Sequence, residues 1–321
     1  MNSAEFFSRK AGMTLAGAAA QCGKPLALAI GVFDGVHLGH KKLLNEVAAM
    51  AAELNAVPVA LTFDPHPRSV LKLSAPPVLL MDLTERIRLL QLNGMAMTAV
   101  ADFTAEFAAT PAEDFLELLF DQVPALAAVG VGSNWRFGKN GAGNVALLTE
   151  YACKRNFKLA AVDELVVDND VVSASRIRRL IAGGELDSAE RLLGYRYKLC
   201  GKVANGYGIA GTRLECPTAN IVPSAGVLPP DGVYAGMVEV EDKKYASAVN
   251  IGIAPTYHRS SSPRRIEAHL LDFSGNLYGK SVRLTLGSYL RSEQCFASEE
   301  ALREQIALDV KNIRSWAENL I

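Results

Sequence analysis

His37 and His40 stand three residues apart in the string Gly31-Val32-Phe33-Asp34-Gly35-Val36-His37-Leu38-Gly39-His40. An apolar run, Leu26-Ala27-Leu28-Ala29-Ile30, leads into it, and the helix-like Lys41-Lys42-Leu43-Leu44-Asn45-Glu46-Val47-Ala48 follows. A strand that turns sharply into a helix aims unpaired backbone N–H groups and the positive end of the helix dipole at whatever binds there. Residues spaced by three lie on the same side of a helical turn, so both imidazoles are expected together at that helix start. Gly39 between them has no side chain and lets a phosphate approach the backbone. The arrangement suits an anion whose charge grows during reaction, as in attack on a nucleotide α-phosphate. Two histidines near a helix start are ordinarily surface residues. The preceding strand and the glycines at 31, 35 and 39 weigh against that here.

The string resembles the HxGH nucleotidyltransferases, and its full length, GVFDGVHLGH, is similar to the bacterial bifunctional riboflavin kinase/FMN adenylyltransferases, also called FAD synthetases. The resemblance implies that the FMN phosphate attacks the α-phosphate of ATP, giving FAD and pyrophosphate, with Mg²⁺ accompanying the nucleotide. A phosphate is already a nucleophile, so positioning and charge stabilisation should carry the rate. It further implies His40 as the principal α-phosphate donor, His37 in support, and Gly31, Phe33, Asp34 and Gly39 around ATP.

Three more segments fit that resemblance. Thr62-Phe63-Asp64-Pro65-His66-Pro67 ends a second strand, Val57–Phe63, and its two prolines stiffen the loop. The resemblance places Asp64 and His66 at the flavin nucleotide; a rigid turn with a surface histidine is the competing account. Val131-Gly132-Ser133-Asn134-Trp135-Arg136-Phe137-Gly138 follows a buried strand at Ala127–Gly132, and Asn134 and Phe137 are implied on the flavin side. The family typically has an aspartate where Asn134 stands and a basic residue near Gly141, so this chain lacks a charge there. The stretch Gly138–Gly143 is either a phosphate cradle or a mobile loop. Ser173-Ala174-Ser175-Arg176-Ile177-Arg178 opens a helix and resembles the Ser-Ser-Thr-x-x-Arg element, implying Ser173, Ser175 and Arg178 on the ATP β/γ-phosphates. Ser173 as a helix cap with solvated arginines is the alternative.

The second half carries its own set. Cys216-Pro217-Thr218-Ala219-Asn220-Ile221 contains the PTAN string of riboflavin kinases, which implies Thr218 and Asn220 as ligands of Mg²⁺ and the ATP phosphates. Asn250-Ile251-Gly252-Ile253-Ala254-Pro255-Thr256-Tyr257 resembles NIGxxPTF, and Arg265–Phe273 resembles the strand bearing the catalytic glutamate. Alternation puts Glu267 and His269 on one strand face, opposite Ile266 and Ala268. Glu267 is then expected to accept the proton of the terminal ribityl hydroxyl as it attacks the γ-phosphate. The family's Gly-Arg-x-Leu-Gly-Phe is replaced by Gly211-Thr212-Arg213-Leu214-Glu215-Cys216. Gly211 is retained on the ATP side, whereas an inward Glu215 would repel phosphate.

The elements that must position these residues change character near residue 190. Before it, strand-like runs alternate with helical patterns, implying βαβ units, a parallel sheet and a Rossmann-like α/β domain whose ligands sit at the strand C-termini. Thr84 reads as a helix cap with Glu85 as an early acid, and Thr110-Pro111-Ala112-Glu113 as cap, first helical position and capping acid. After it, Gly232–Val240, Tyr245–Asn250, Arg265–Leu271 and Ser281–Leu286 are crowded strands, the first two joined by the polar turn Glu241–Lys244. These predict a small antiparallel β-barrel. Ser298 caps a terminal helix whose Leu302, Ile306, Val310, Ile313 and Leu320 form a stripe expected to pack on that barrel. The expected domains are 1–190 for adenylyl transfer and 191–321 for riboflavin phosphorylation.

Bulk properties agree. A chain of 321 residues is long for one core. Half the residues are hydrophobic and 21% are charged, as in soluble globular proteins. A net charge of −1 argues against nucleic acid as partner. The five scattered cysteines show no C-x-x-C pair, which fits reduced thiols in the cytoplasm. The stretch AGMTLAGAAAQC after Arg9-Lys10 is a weak signal-peptide decoy, rejected because the first strand begins a few residues later. No run approaches the ~18 apolar residues of a membrane helix. Oligomeric state is not specified. The expected small-molecule partners are ATP, riboflavin, FMN and FAD. Two other readings stay open: an adenylyltransferase with a degenerate barrel, and a flavin-binding regulator without turnover. A different HxGH transferase would leave the PTAN half unexplained.

Overall fold

Five consecutive apolar residues at Leu26–Ile30 are all buried, the mark of a strand covered on both faces. The computed structural model describes residues 13–72, 75–204, 218–253 and 264–319. In the first half the elements run α1 (Leu15–Cys22), β1 (Leu26–Ile30), α2 (Leu38–Glu53), β2 (Val57–Asp64), α3 (Pro67–Leu71), α4 (Leu83–Leu92) and β3 (Met97–Asp102). They continue with α5 (Ala105–Ala108), α6 (Ala112–Gln122), β4 (Leu126–Gly132), α7 (Val145–Arg155), β5 (Lys158–Val162), the hairpin β6 (Val166–Val167) and β7 (Asp170–Val171), α8 (Ala174–Ala182) and α9 (Leu186–Leu193). Strands β1 to β5 form one parallel sheet in the order β3-β2-β1-β4-β5. The chain reverses its direction of winding between β1 and β4. A crevice opens beyond the carboxyl ends of such a pair, and the turn after β1 lies there.

The decoy segment is α1. Thr14 caps it through Oγ1, which accepts from the Gly17 N–H at 3.0 Å, and Leu15 and Ala18 are fully buried in the core of this half.

The second half contains β8 (Lys198–Ala204), β9 (Thr218–Pro223), β10 (Gly232–Val240), β11 (Lys243–Gly252), β12 (Arg265–Leu270), β13 (Ser281–Arg291) and α10 (Glu299–Glu318). The strands close into a barrel, β10-β11-β12-β9-β8-β13, with every pairing antiparallel. Helix α10 packs on it through Ile313, with Ala235 and Leu271 beneath and Val310 and Trp316 alongside. Ser298 caps α10 by accepting from the Ala301 N–H at 3.2 Å, a contact worth about 1 kcal/mol. Leu320 lies outside the described residues.

Several local expectations shift. Helix α4 begins at Leu83, so Thr84 is inside its first turn, and Glu85 pairs with Arg88 at 2.6 Å. Helix α6 begins at Ala112 with Pro111 at the cap position and no side-chain cap, because the Thr110 hydroxyl donates backwards to the Glu106 carbonyl. The polar turn narrows to Glu241-Asp242, both with positive φ, because Val240 pairs directly with Lys243 in a two-residue hairpin. The strand at Leu126–Gly132 is fourth in the chain; Met97–Asp102 precedes it.

The chain divides into two compact units, one holding Met1–Pro77 and Leu83–Ala174, the other Val78–Asp82 and Ser175–Ile321. From Ser175 onward, α8 and α9 are therefore grouped with the barrel. Glu190 explains why α9 goes with the barrel: its carboxylate accepts from the Tyr197 N–H at 3.1 Å and from Arg196 at 3.0 Å.

Asp309 of α10 is buried and accepts from Arg291 Nε and Nη2 at 3.0 and 2.9 Å and from Gln305 at 2.8 Å. Removing one partner strands a largely buried charge. Asp309→Ala should therefore cost about 3 kcal/mol in denaturant unfolding; a loss below about 1 kcal/mol, the size of an exposed pair, would contradict the assignment.

Candidate functional site

The turn from β1 into α2 is held by the strands and strained within itself. The Gly31 N–H donates to the Leu61 carbonyl at 3.1 Å, tying the turn to β2. Phe33 and Val36 are fully buried and carry positive φ values of 53° and 34°. That backbone is unfavourable for residues with a Cβ, and most of all for a β-branched one. The packing of both side chains holds it in place.

His37 is the N-cap of α2, its Nδ1 accepting from the His40 N–H at 3.4 Å. The two rings stack with centroids 3.7 Å apart and planes 16° from parallel. Phe33 meets the His40 ring edge-on at 5.2 Å. A Cβ on Gly39 would lie 3.2 Å from the His37 ring and 3.6 Å from the Val172 carbonyl. The glycine thus makes room for the stacked imidazole as well as for any phosphate, and it brings the chain leading to Ser173 against the turn.

His37 is only 6% exposed, whereas His40 is partly exposed, with its Nδ1 enclosed and without a hydrogen-bond partner among the described residues. A proton on Nε2 avoids a stranded donor at Nδ1. Burial, then the neighbouring His37, then Arg86 hold the His40 pKa well below the ordinary histidine value. The imidazole is therefore neutral at pH 7 in the ligand-free protein.

Arg86 is the residue that motif reading missed. It is 0% exposed, and its Nη1 donates to the Phe63 carbonyl at 3.0 Å and to Thr62 Oγ1 at 3.4 Å. The Thr62 hydroxyl in turn donates to the Val32 carbonyl at 3.0 Å. One buried guanidinium thus ties the end of β2 to the histidine turn and places a permanent cation near His40. The only sequence signal was an arginine on the apolar side of α4, in register with Leu89 and Leu90.

The other expected residues of this unit divide into packers and surface groups. Asp34 is buried in the turn. Asp64 is half-buried at the end of β2, next to a cis Asp64–Pro65 bond. His66 caps α3, its Nδ1 accepting from the Arg68 N–H at 3.1 Å. Asn134 is exposed and donates to Glu164 at 2.7 Å. Phe137 is buried against Phe115 and beneath a stacked Trp135 at 4.6 Å, so it faces the core and leaves Trp135 as the partly exposed aromatic there. Phe33 likewise packs the His40 ring inside the core. The glycine-rich stretch is pinned, since Phe137 and Gly143 exchange backbone hydrogen bonds at 3.1 and 2.9 Å. Ser173 belongs to the first unit, while Ser175 and Arg178 belong to the second. Arg178 Nε donates to the Val78 carbonyl at 2.7 Å and its Nη1 to Ser175 Oγ at 3.5 Å.

In the barrel, Glu267 pairs directly with Asn250 of β11 on one side and Asn220 of β9 on the other. His269 and Thr218 pair in the next row of the same face. Burial alternates along all three strands: Ile266, Ala268, Ala219, Ile221, Val249 and Ile251 point inward, and Glu267, Asn220 and Asn250 are half-buried on the outer face. The expected sharing of a face by Glu267 and His269 holds. Gly211, Thr212, Glu215, Cys216 and Ala254–Tyr257 lie outside the described residues.

Comparison with known proteins agrees with this geometry. Residues 19–176 match the family described as FAD synthetase, and residues 193–317 match the one described as riboflavin kinase. A Buchnera aphidicola protein named bifunctional riboflavin kinase/FMN adenylyltransferase is 32% identical over 90% of this chain and 93% of its own. Proteins of the same name from Haemophilus influenzae and Escherichia coli are 33% and 31% identical, over 90% of this chain and 94% and 92% of theirs. A crystal structure of a Streptococcus pneumoniae protein named macrolide-efflux protein has a TM-score of 0.79 at 25% identity, covering 91% of this chain and 95% of that one. Among the described residues no helix is long and apolar enough to cross a membrane.

The depressed His40 pKa has a signed consequence. Below pH 6.5 the unfolded chain protonates this residue before the folded protein does, so stability falls as pH drops, by up to about 1.4 kcal/mol per pH unit. Unfolding free energies of wild type and His40→Gln, measured from pH 7.5 to 5, should show wild type losing ground to the variant on acidification. A gain in that interval would refute a neutral, enclosed His40.

Proposed function

Because the chain belongs to the family of bifunctional riboflavin kinase/FMN adenylyltransferases, we propose that its barrel phosphorylates riboflavin to FMN and its parallel-sheet unit adenylylates FMN to FAD. The observation that carries this reading is the stacked His37–His40 pair at the switch point of the sheet, in the same chain as the Asn220–Glu267–Asn250 row.

In the sheet unit, His40 donates to an α-phosphate oxygen as an FMN phosphate oxygen attacks the α-phosphorus and pyrophosphate leaves. Charge accumulates on those oxygens in the transition state, where a preorganised donor is worth most. His37 acts chiefly on His40, since its Nδ1 is committed to the helix cap and its ring to the stack. Gly31, Phe33, Asp34 and Gly39 shape the turn that receives ATP; Asp64, His66 and Asn134 lie on the side assigned to FMN. Ser173, Ser175 and Arg178 are assigned to the departing pyrophosphate.

In the barrel, the Glu267 carboxylate takes the proton of the terminal ribityl hydroxyl while that oxygen attacks the γ-phosphorus and ADP leaves. Thr218 and Asn220 are two residues apart on one face of β9, and hydroxyl and amide oxygens are the hard donors Mg²⁺ takes, so this pair fits the ion. Mg²⁺ bound there would neutralise charge on the β/γ-phosphates. Free thiols at Cys22, Cys153, Cys200 and Cys295 support a cytoplasmic location.

Chromatography of products from riboflavin, ATP and Mg²⁺ over time tests the reading: FMN should appear first and FAD after it. FAD from FMN but nothing from riboflavin would leave the adenylyltransferase alone. His40→Ala should reduce FAD formation at least 100-fold, about the effect of losing one transition-state donor, while FMN continues to form; equal loss of both products would contradict separate sites. Glu267→Gln should instead slow riboflavin phosphorylation about 100-fold and leave adenylylation of supplied FMN intact. Undiminished phosphorylation would remove Glu267 from the role.

A further inference from the structure

We propose that Glu293 is a positioning residue for the kinase step: its carboxylate fixes the amide of Asn250 so that Asn250 Oδ1 accepts a hydrogen bond from a secondary hydroxyl of the substrate's polyol chain. The inference rests on the reading that the barrel phosphorylates riboflavin.

Asn250 Nδ2 donates to Glu293 Oε1 at 2.8 Å. An ionised carboxylate only accepts, so the amide nitrogen must face Glu293 and the oxygen must turn away from it. That oxygen is enclosed and has no hydrogen-bond partner among the described residues. An enclosed acceptor left unmatched is unfavourable, and native proteins seldom keep one without a use. A hydroxyl donor on a ligand would satisfy it.

Its neighbours identify the ligand class. Asn250 is directly opposite Glu267, the group assigned to the terminal hydroxyl. Cross-strand neighbours on one face lie about 5 Å apart at Cβ. A chain bearing hydroxyls on successive carbons can reach both side chains at once, one hydroxyl to the Glu267 carboxylate and another to the Asn250 oxygen. An isolated alcohol cannot.

A separate observation shows that the place of the Glu293 carboxylate is preserved. Gly252 lies two residues beyond Asn250 on the same face of β11, and a Cβ there would come within 2.5 Å of Glu293 Oε1 and 2.9 Å of its Cδ. Only glycine leaves the carboxylate where it meets the amide. Glu293 itself is exposed, just past the end of β13, so a substitution there removes no core packing.

The test uses the full chain and steady-state phosphorylation of riboflavin, with adenylylation of supplied FMN assayed in the same preparations. Glu293→Ala and Gly252→Ala should each raise the KM for riboflavin about tenfold with little change in the KM for ATP, the loss of one oriented hydrogen bond. Glu293→Gln, which still offers an acceptor to Nδ2, should recover most of that loss. The deciding substrate is a riboflavin analogue lacking one secondary ribityl hydroxyl, tried for each position. Wild type should prefer riboflavin over at least one such analogue, and Glu293→Ala should have lost most of that preference. If the preference is the same in both proteins, or the KM rises equally for ATP, Glu293 merely staples a loop and the proposal falls. If wild type forms no FMN from riboflavin, the kinase reading falls first and takes this inference with it.

Discussion

A buried cation holds the adenylyl-transfer unit together where its chemistry is expected. Arg86 has no exposure to water, and the desolvation of a guanidinium is costly unless its protons meet acceptors. Here its Nη1 meets the Phe63 carbonyl and, through Thr62, reaches the Val32 carbonyl, while Nε and Nη2 meet no hydrogen-bond acceptor among the described residues. The ends of β1 and β2 are therefore joined by something stiffer than loop contacts. The strained backbone at Phe33 and Val36 persists because this brace and the burial of both side chains leave it no alternative. The same charge, after burial and the neighbouring His37, disfavours a proton on His40, so a neutral imidazole stands near a fixed cation.

The histidine pair was legible in the sequence because its geometry is local: spacing, a strand before and a helix after suffice to stack the rings. The outer face of the barrel was legible for the same reason, since alternation along a strand assigns Glu267 and His269 without knowledge of the partners. What local pattern did not reveal is how each motif residue packs. Phe33 and Phe137 stand inside motif strings, and both are buried, Phe33 against the His40 ring and Phe137 against Phe115. Arg86 was invisible because its significance lies in partners that are 23 and 24 residues away in sequence. Glu293 meets Asn250 across 43 residues, and no local pattern announces that. The grouping of α9 with the barrel was not legible because α9 looks like one more helix of the α/β series; its attachment runs through Glu190 and the Tyr197 backbone.

The two units solve one problem, the handling of phosphate charge, with different materials. The sheet unit uses a helix start, where backbone dipoles and imidazoles converge without any strong base, which suits a nucleophile that is already an anion. Among the described residues the barrel has no helix start at the Asn220–Glu267–Asn250 row. It arrays short polar side chains across three strands, and a carboxylate at the centre suits a hydroxyl nucleophile that must lose a proton. The choice of residue follows from the charge state of the attacking group.

Both sites share a further property. His40 Nδ1 and Asn250 Oδ1 are enclosed polar atoms without hydrogen-bond partners among the described residues, and each belongs to or adjoins a group assigned to catalysis. Thr98 Oγ1 is in the same condition within β3, so an unmatched atom alone does not mark a site. What distinguishes the first two is the restraint on them. His40 is clamped between His37 and Phe33, and Asn250 is turned by Glu293, so neither can rotate to find a protein partner. A threonine hydroxyl can rotate about its C–O bond at little cost. An unmatched atom that the fold also prevents from moving is one the fold has oriented, and for Asn250 Oδ1 a ligand hydroxyl is the donor that completes it.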